Sequence, residues 1–180
     1  MNDIYKDFDL NSFWEESEYA KKEYVGEKIT EELISQTESE LGYKFPESYI
    51  ELMKSSNGGI PINQCFPTKE RTSWSEDHVA ISGILGIGNK KTYSLCGELG
   101  SQFMIDEWGY PEIGIYFGDC PSAGHDMIGL DYRECGENGE PKVVHVDQER
   151  DYKITLLATS FLDFIKGLVN ESQYDDGETW

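Results

Sequence analysis

Residues 120–126 read CPSAGHD and bring four side-chain types that are common in active sites into one short stretch. Ser122, His125 and Asp126 are the residue types of a serine-hydrolase triad, in which a base activates the hydroxyl group and an acid orients the base. However, neighbours on one short loop seldom converge, and no G-x-S-x-G elbow surrounds Ser122. The proline, alanine and glycine around the serine are typical of a turn. The pattern therefore favours a turn into a strand, with Asp126 accepting backbone N–H bonds.

Cys120 raises two further chemistries, a thiolate nucleophile and a zinc ligand. A nucleophilic thiolate needs a nearby base, which His125 or His145 would supply. Tetrahedral zinc needs four thiolate or imidazole ligands. The chain contains such a set: Cys120, His125, Cys135 and His145. Zinc sites usually begin with two closely spaced ligands, whereas these are widely spaced and no CxxC pair occurs. We therefore predict reduced thiols and no catalytic residue, metal site or bound cofactor.

The charge of the chain narrows the classes of partner. Of 180 residues, 35 are Asp or Glu and 15 are Lys or Arg, which gives a net charge of −20 with neutral histidines. Such a surface repels nucleic acid and anionic lipid and attracts cationic partners. The sequence has no apolar run of about 20 residues that would span a membrane, and its first residues do not resemble a signal peptide. We expect a cytoplasmic protein that contacts neither nucleic acid nor membrane.

Capping residues predict four helices. They cover residues 12–25, 30–41, the segment from Pro46 to the Asn57-Gly58-Gly59 break, and 160–169. Ser12 and Glu15 form a capping box for the first helix. Thr30 and Ser160 are the expected N-caps of the second and the last, and Gly42 is expected to end the second.

Runs of β-branched and aromatic residues predict five strands. These are 79–88, 103–108, 112–118, 126–133 and 142–148. Asn138-Gly139 is typical of a tight turn, so residues 126–148 are predicted to form a β-hairpin. In its second strand Val144 and Val146 share one face, while His145 and Asp147 point to the other. We expect a single α+β domain, mainly an antiparallel sheet, with helices before and after it packed on one face and water on the other.

Residues 41–59, LGYKFPESYIELMKSSNGG, resemble the signature of the SMI1/KNR4 family, also called SUKH. The signature combines a Leu-Gly helix end, a Phe-Pro link, an aromatic helix and an Asn-Gly-Gly break. Three later segments are similar to the turn and strand, the paired strand and the final helix of this family: GHDMIGLDY, PKVVHVDQE and SFLDFIKGL. The resemblance implies an N-terminal helical extension at 1–28, an SMI1/KNR4-like domain at 29–168 and an acidic C-terminal tail at 169–180.

What the resemblance implies is protein binding rather than catalysis. Members of this family are similar to immunity proteins of bacterial toxin systems, which neutralise toxins by direct association. The implied function is that of a non-enzymatic bacterial immunity protein. Because of the net charge of −20, its cognate toxin is expected to be basic, for example a nuclease. The alternative is a regulatory or scaffolding module that has no toxin partner.

Two loops in which aromatic residues interrupt acidic ones are the candidate partner-binding sites. The first is TSWSEDH, with Trp74, Glu76 and Asp77. The second is IDEWGYPE, with Glu107, Trp108 and Tyr110. Buried aromatic anchors carry much of the affinity of an interface, and complementary charge accelerates association. The alternative is that both tryptophans belong to the core and the acids only solvate its rim.

Overall fold

Seven short strands form two antiparallel sheets in the computed structural model, which describes residues 3–174. The strands are β1 (Cys65–Pro67), β2 (His78–Ala80), β3 (Gly83–Ile84), β4 (Gly114–Asp119), β5 (Asp126–Asp131), β6 (Lys142–Asp147) and β7 (Lys153–Ala158). Strands β1 and β2 pair with each other, and β3 to β7 form a five-stranded sheet in chain order. The predicted α+β fold with an antiparallel sheet is confirmed.

Five α-helices accompany the sheets within the described part of the chain. They are α1 (Glu18–Glu23), α2 (Glu31–Leu41), α3 (Glu47–Ser55), α4 (Ser101–Trp108) and α5 (Phe161–Gly167). Short 3₁₀ helices cover Asp3–Tyr5, Leu10–Ser12, Gln148–Arg150 and Glu171–Tyr174. None of the helices within residues 3–174 has the length and apolar character needed to cross a bilayer.

Local capping explains α2 and α5, as the sequence predicts. The Thr30 hydroxyl accepts a hydrogen bond from the Leu33 N–H at 3.1 Å, and Gly42 ends α2 in the left-handed conformation with a φ of 86°. The Ser160 hydroxyl accepts one from the Asp163 N–H, also at 3.1 Å. These contacts satisfy backbone groups that a helix end leaves unpaired, so the boundaries follow from neighbouring residues alone.

The hairpin of β5 and β6 is also confirmed, but both faces of the sheet are covered. On one face Ile128, Leu130 and Val143 pack against α3 and α5 in the main core. The opposite face was predicted to be solvated. There Met127, Val144 and Val146 pack against Met104 of α4 in a second apolar cluster. Helices therefore lie on both faces of this sheet, which explains why every residue of β5 is buried.

The second cluster accounts for the clearest error of the sequence prediction. Residues 103–108 were predicted to form a strand and instead belong to α4, which ends at Gly109 with a φ of 75°. The predicted strand at 79–88 is divided between β2 and β3, which belong to different sheets. Strands β1 and β7 were not predicted. In each case packing against distant parts of the chain overrides local propensity.

The N-terminal helix is shorter than the predicted 12–25. Its N-cap is Ser17, whose hydroxyl accepts from the Ala20 N–H at 3.0 Å. Of the preceding residues, Leu10–Ser12 form a 3₁₀ helix and residues 14–17 are not helical. Here the Glu15 N–H donates to the Ile60 carbonyl at 2.7 Å, and the Ile62 N–H donates to the Phe13 carbonyl at 2.9 Å. The segment thus pairs with residues after α3 rather than coiling.

Both ends of the described chain pack onto the domain. In the predicted N-terminal extension, Tyr5 and Phe13 are buried in the main core, and Tyr24 is buried in a small third cluster. At the other end Val169 and Cys65 exchange backbone hydrogen bonds of 2.8 and 3.1 Å. Residues 175–180 of the predicted acidic tail lie outside the described residues.

Candidate functional site

A cavity of about 520 Å³ opens beside the C-terminal end of β4. Its lining comes from the N-terminal segment with α1, the loop before α4, α4 itself and the turn after β4. Its aromatic lining residues are Tyr19, Tyr24, Tyr93, Phe103 and Trp108. Glu15 and Asp119 are its charged residues, and no lysine, arginine or histidine is among the described residues that line it. We call this space the aromatic cavity.

Asp119 lies at the inner end of the aromatic cavity because of how β3 and β4 pair. Their register places Gly83 opposite Asp119. A Cβ atom at Gly83 would lie 2.2 Å from the Tyr24 ring, so only glycine leaves room for this tyrosine. The Tyr24 hydroxyl consequently reaches the carboxylate, 2.9 and 3.0 Å from its two oxygens. Burial raises the pKa of the Asp119 carboxyl from 3.8 to about 7, although the hydrogen bond from Tyr24 acts in the opposite direction.

Aromatic rings line the cavity on the side of α1 and on the side of α4. Tyr24 and Tyr93 are stacked, with ring centroids 4.6 Å apart and an interplanar angle of 10°. Tyr19 meets Tyr24 edge-on and is 55% exposed. On the other side Trp108 of α4 packs on Gly124, where an added Cβ would lie 3.2 Å from the indole ring. The aromatic cavity therefore combines π faces with a buried carboxyl group.

A second cavity of about 300 Å³ adjoins the first and is lined by Trp74, among other residues. The two cavities share Gln64, Ser82 and Pro121 in their linings. Trp74 and Trp108, which the sequence placed in two separate candidate loops, thus line neighbouring cavities. The fold brings the two loops to one continuous surface.

The six predicted partner-binding residues differ in exposure. Trp74 is 42% exposed, and Glu76, Asp77 and Glu107 are also exposed. Trp108 is half-buried. Tyr110, in contrast, is 2% exposed, and its hydroxyl donates to the Gly124 carbonyl at 2.6 Å. Tyr110 therefore has no free surface for a partner and instead holds the turn that carries Gly124.

The stretch at 120–126 does not form a hydrolase triad. Asp126 accepts a hydrogen bond from the Ser122 hydroxyl on one oxygen, and its other oxygen lies 2.7 Å from Nε2 of His145. The acid is thus central, whereas a triad requires the imidazole between serine and acid. His125 is exposed, with Nδ1 2.5 Å from Glu149. The prediction of a turn is correct at Ala123 and Gly124, which have φ angles of 56° and 94°, but Asp126 bonds side chains rather than backbone N–H groups.

Cys120 lies next to this pair, so half of the set considered for zinc does come together. One ligand atom each from Cys120, Asp126 and His145 lies within 4.8 Å of the others, and all three residues are buried. His125 and Cys135 are elsewhere; the Cys135 thiol donates to the Gly136 carbonyl at 3.3 Å. Both oxygens of Asp126 already have hydrogen-bond partners, which argues against a metal ligand. Burial, with the charge of Asp126, raises the pKa of the Cys120 thiol well above its ordinary value, so it is a poor nucleophile.

Sequence reasoning missed the residues that give the aromatic cavity its character. Tyr24 and Asp119 are 95 positions apart, and no local motif links them. The sequence contained one signal: Asp119 directly follows a predicted apolar strand. A buried charge at that position is costly unless another group pairs with it.

Comparison of the sequence with protein-family models gives a match over most of the chain. The SUKH_6 family model, described as SMI1-KNR4 cell-wall, matches residues 31–165, which is three quarters of the chain. No curated protein matches the chain.

Proposed function

Because the chain belongs to the SMI1/KNR4 (SUKH) family, we propose that it is a bacterial immunity protein that neutralises a cognate toxin by direct association in the cytoplasm. The match over residues 31–165 is the observation that carries this proposal. The net charge of −20 supports a basic toxin. A nuclease is a suitable example, because a groove that holds phosphates is rich in Lys and Arg.

The protein acts by binding and not by catalysis. In the stretch richest in candidate catalytic residues, the order Ser122–Asp126–His145 leaves no imidazole beside the hydroxyl. Cys120 keeps its proton because its pKa is raised. No cofactor or metal is required for such a role.

The partner binds the surface formed by the two adjoining cavities. Trp74 and Trp108 supply aromatic anchors, and Glu76, Asp77 and Glu107 supply the acidic rim. Shared lining residues make this surface continuous, so one partner can contact both loops.

Co-expression with the product of the adjacent upstream gene tests the proposal. An immunity gene is expected directly downstream of a large secreted toxin gene. The immunity protein should restore the growth of cells that express the toxin, and it should co-purify with the toxin. Glu76→Lys with Asp77→Lys should weaken the complex. The matched control, Glu137→Lys with Glu140→Lys, reverses two exposed charges in the β5–β6 turn at the far end of the hairpin. It should leave the affinity of the complex unchanged. If the toxin kills cells equally with and without the protein, immunity is excluded.

One alternative has an observation in its favour. The matching family model carries the description "cell-wall", which suits a regulatory or scaffolding module without a toxin partner. Such a gene need not lie next to a toxin gene. Co-purification of a non-toxic partner, together with no protection against the neighbouring gene product, would favour this alternative.

A further inference from the structure

The aromatic cavity has the composition of a site for an organic cation. Its volume of about 520 Å³ falls in the range of roughly 300–1,000 Å³ that is usual for small-ligand sites. Its ionisable acids are Glu15 and Asp119, and the described residues of its lining include no basic side chain to neutralise them. Aromatic faces attract cations through their electron-rich π systems, most strongly when water is excluded.

Asp119 contacts the Tyr24 hydroxyl and forms no ion pair with a described residue. A carboxylate in a poorly hydrated site is costly unless a cation accompanies it. Gly83 leaves room for the Tyr24 ring, which allows the Tyr24 hydroxyl to bind the Asp119 carboxyl group and fix its position. A ligand that brings a positive charge to Asp119 would remove the cost.

We propose, building on the proposed function, that the aromatic cavity binds an arginine side chain which a basic protein partner inserts, with Asp119 as its counter-ion. Tyr93 and Trp108 provide the aromatic faces. Tyr24, whose ring is packed between Tyr93 and Gly83, holds the carboxylate through its hydroxyl. Arginine suits this site better than lysine, because a planar guanidinium stacks on aromatic rings, pairs with a carboxylate and is more weakly hydrated than an ammonium group. The net charge of −20 attracts a basic partner to this surface before the side chain enters.

Binding of the cation requires the ionised form of Asp119 and therefore strengthens as the pH rises through 7. Tyr24, Tyr93 and Cys120 also face this carboxyl group. Burial raises the pKa of each of them, so they remain protonated between pH 6 and pH 8. Other titratable groups near the cavity include Tyr19 and Glu15 in its lining and Asp126 next to Cys120. His125 packs edge-on against Trp108, with ring centroids 5.7 Å apart.

The test uses the full-length protein and N-butylguanidinium, which carries a guanidinium group on a short alkyl chain. Isothermal titration calorimetry should detect its binding, and the neutral analogue N-butylurea should bind at least about tenfold more weakly. The affinity for butylguanidinium should be about tenfold higher at pH 8 than at pH 6, because a carboxyl with a pKa of about 7 goes from mostly protonated to mostly ionised. Equal binding of the two probes, or no binding of either, would overturn the proposal.

Variants locate the effect. Asp119→Asn should weaken butylguanidinium binding about tenfold at pH 8 and abolish its pH dependence. Asp106→Asn removes an exposed acid of neighbouring α4 that does not line the cavity, and it should change neither quantity. If the pH dependence survives in Asp119→Asn, then His125 or another group causes it, and Asp119 is not the counter-ion.

A second pair of variants tests the aromatic face. Tyr93→Leu should weaken binding about threefold, whereas Tyr93→Phe keeps the ring and should retain it. Urea unfolding of each variant establishes that it is folded. N-Butylammonium binding as tightly as butylguanidinium would refute the choice of arginine.

The outcome can be separated from that of the proposed function. If the neighbouring toxin binds and butylguanidinium does not, the cavity proposal fails and immunity stands. If butylguanidinium binds and the toxin does not, immunity fails. If both bind, saturating toxin should block butylguanidinium, and simultaneous binding of the two would refute the insertion of an arginine.

Discussion

Replacement of Asp119 with asparagine is expected to stabilise the protein above pH 7. Burial raises the pKa of this carboxyl from 3.8 to about 7, which means that folding costs the ionised form free energy. Since an acid with a raised pKa favours folding only while it is protonated, its contribution is complete below pH 4. It declines as the pH rises from about 4 to 7 and is absent above that range.

The size of the effect follows from the same values. At about 1.4 kcal/mol per pKa unit, a rise from 3.8 to about 7 corresponds to about 4 kcal/mol at pH 8. Burial of the asparagine amide costs on the order of 1–3 kcal/mol. Asparagine keeps a carbonyl oxygen that can accept from the Tyr24 hydroxyl, so this hydrogen bond is preserved. Taken relative to the buried protonated carboxyl group, the cost of burying the amide should make Asp119→Asn about 2 kcal/mol less stable than the parent below pH 4. Because ionisation of Asp119 costs the parent about 4 kcal/mol, the variant should be about 2 kcal/mol more stable than the parent at pH 8.

Urea unfolding followed by tryptophan fluorescence gives the free energy of unfolding of variant and parent at each whole pH value from 4 to 8. The quantity of interest is the difference in unfolding free energy between variant and parent, because other carboxyl groups cancel in it. Asp106→Asn, an exposed acid of α4, serves as the control and should give a difference near zero throughout. A difference that does not change with pH, or a variant that is less stable than the parent at pH 8, would refute the electrostatic argument.

Four further outcomes are expected. Purified protein should carry no stoichiometric zinc, and a chelator should leave its melting temperature unchanged; a drop on chelation would indicate a metal at the buried cysteine–histidine cluster. Gly58→Val should lower the free energy of unfolding in urea by about 2 kcal/mol or more, because φ is +91° and the new Cβ would lie 2.6 Å from a backbone oxygen. Gly42→Val is its control: φ is +86° but the space around it is open, so this variant measures the conformational cost alone. Glu76→Lys with Asp77→Lys should slow association with the toxin about tenfold at low salt and flatten its salt dependence, with dissociation nearly unchanged; an association rate independent of ionic strength would contradict this. Trp108→Ala should mainly accelerate dissociation, and the idea of an anchor fails if this variant unfolds.

The elements that the sequence predicts well are those whose boundaries are set by near neighbours. Thr30, Gly42 and Ser160 cap their helices through contacts within four residues. Strands β5 and β6 pair as predicted, but residues 132–141 connect them and the positive φ lies at Gly136, so the predicted tight turn at Asn138-Gly139 is wrong. Residues 103–108 show the limit of this approach. Their aromatic and β-branched content favours a strand. In the structure Met104 packs on the second face of the sheet, and this burial stabilises the helix instead.

Chemistry at the site depends on register, which the sequence does not reveal. His145 was expected to point away from the core of the hairpin, but Ile128 and His145 are direct cross-strand partners. This register places the imidazole beside Asp126 and fully buries it. Residue types alone suggested a nucleophile or a zinc site, while the register makes the same residues a buried hydrogen-bonded pair.

If a partner inserts a side chain into the aromatic cavity as proposed, its specificity depends on two parts of the chain. Asp119, Trp108 and the turn after β4 lie within residues 31–165, the part that matches the family model. Tyr19 and Tyr24 lie before it, in a segment held by backbone pairing near Ile60 and by burial of Tyr24 on Gly83. The matched part of the chain thus supplies the carboxyl group, Trp108 and Tyr93, and the N-terminal segment adds Tyr19 and Tyr24. A change in that segment could alter which side chain is accepted while leaving the sheet and the main helices of the domain intact.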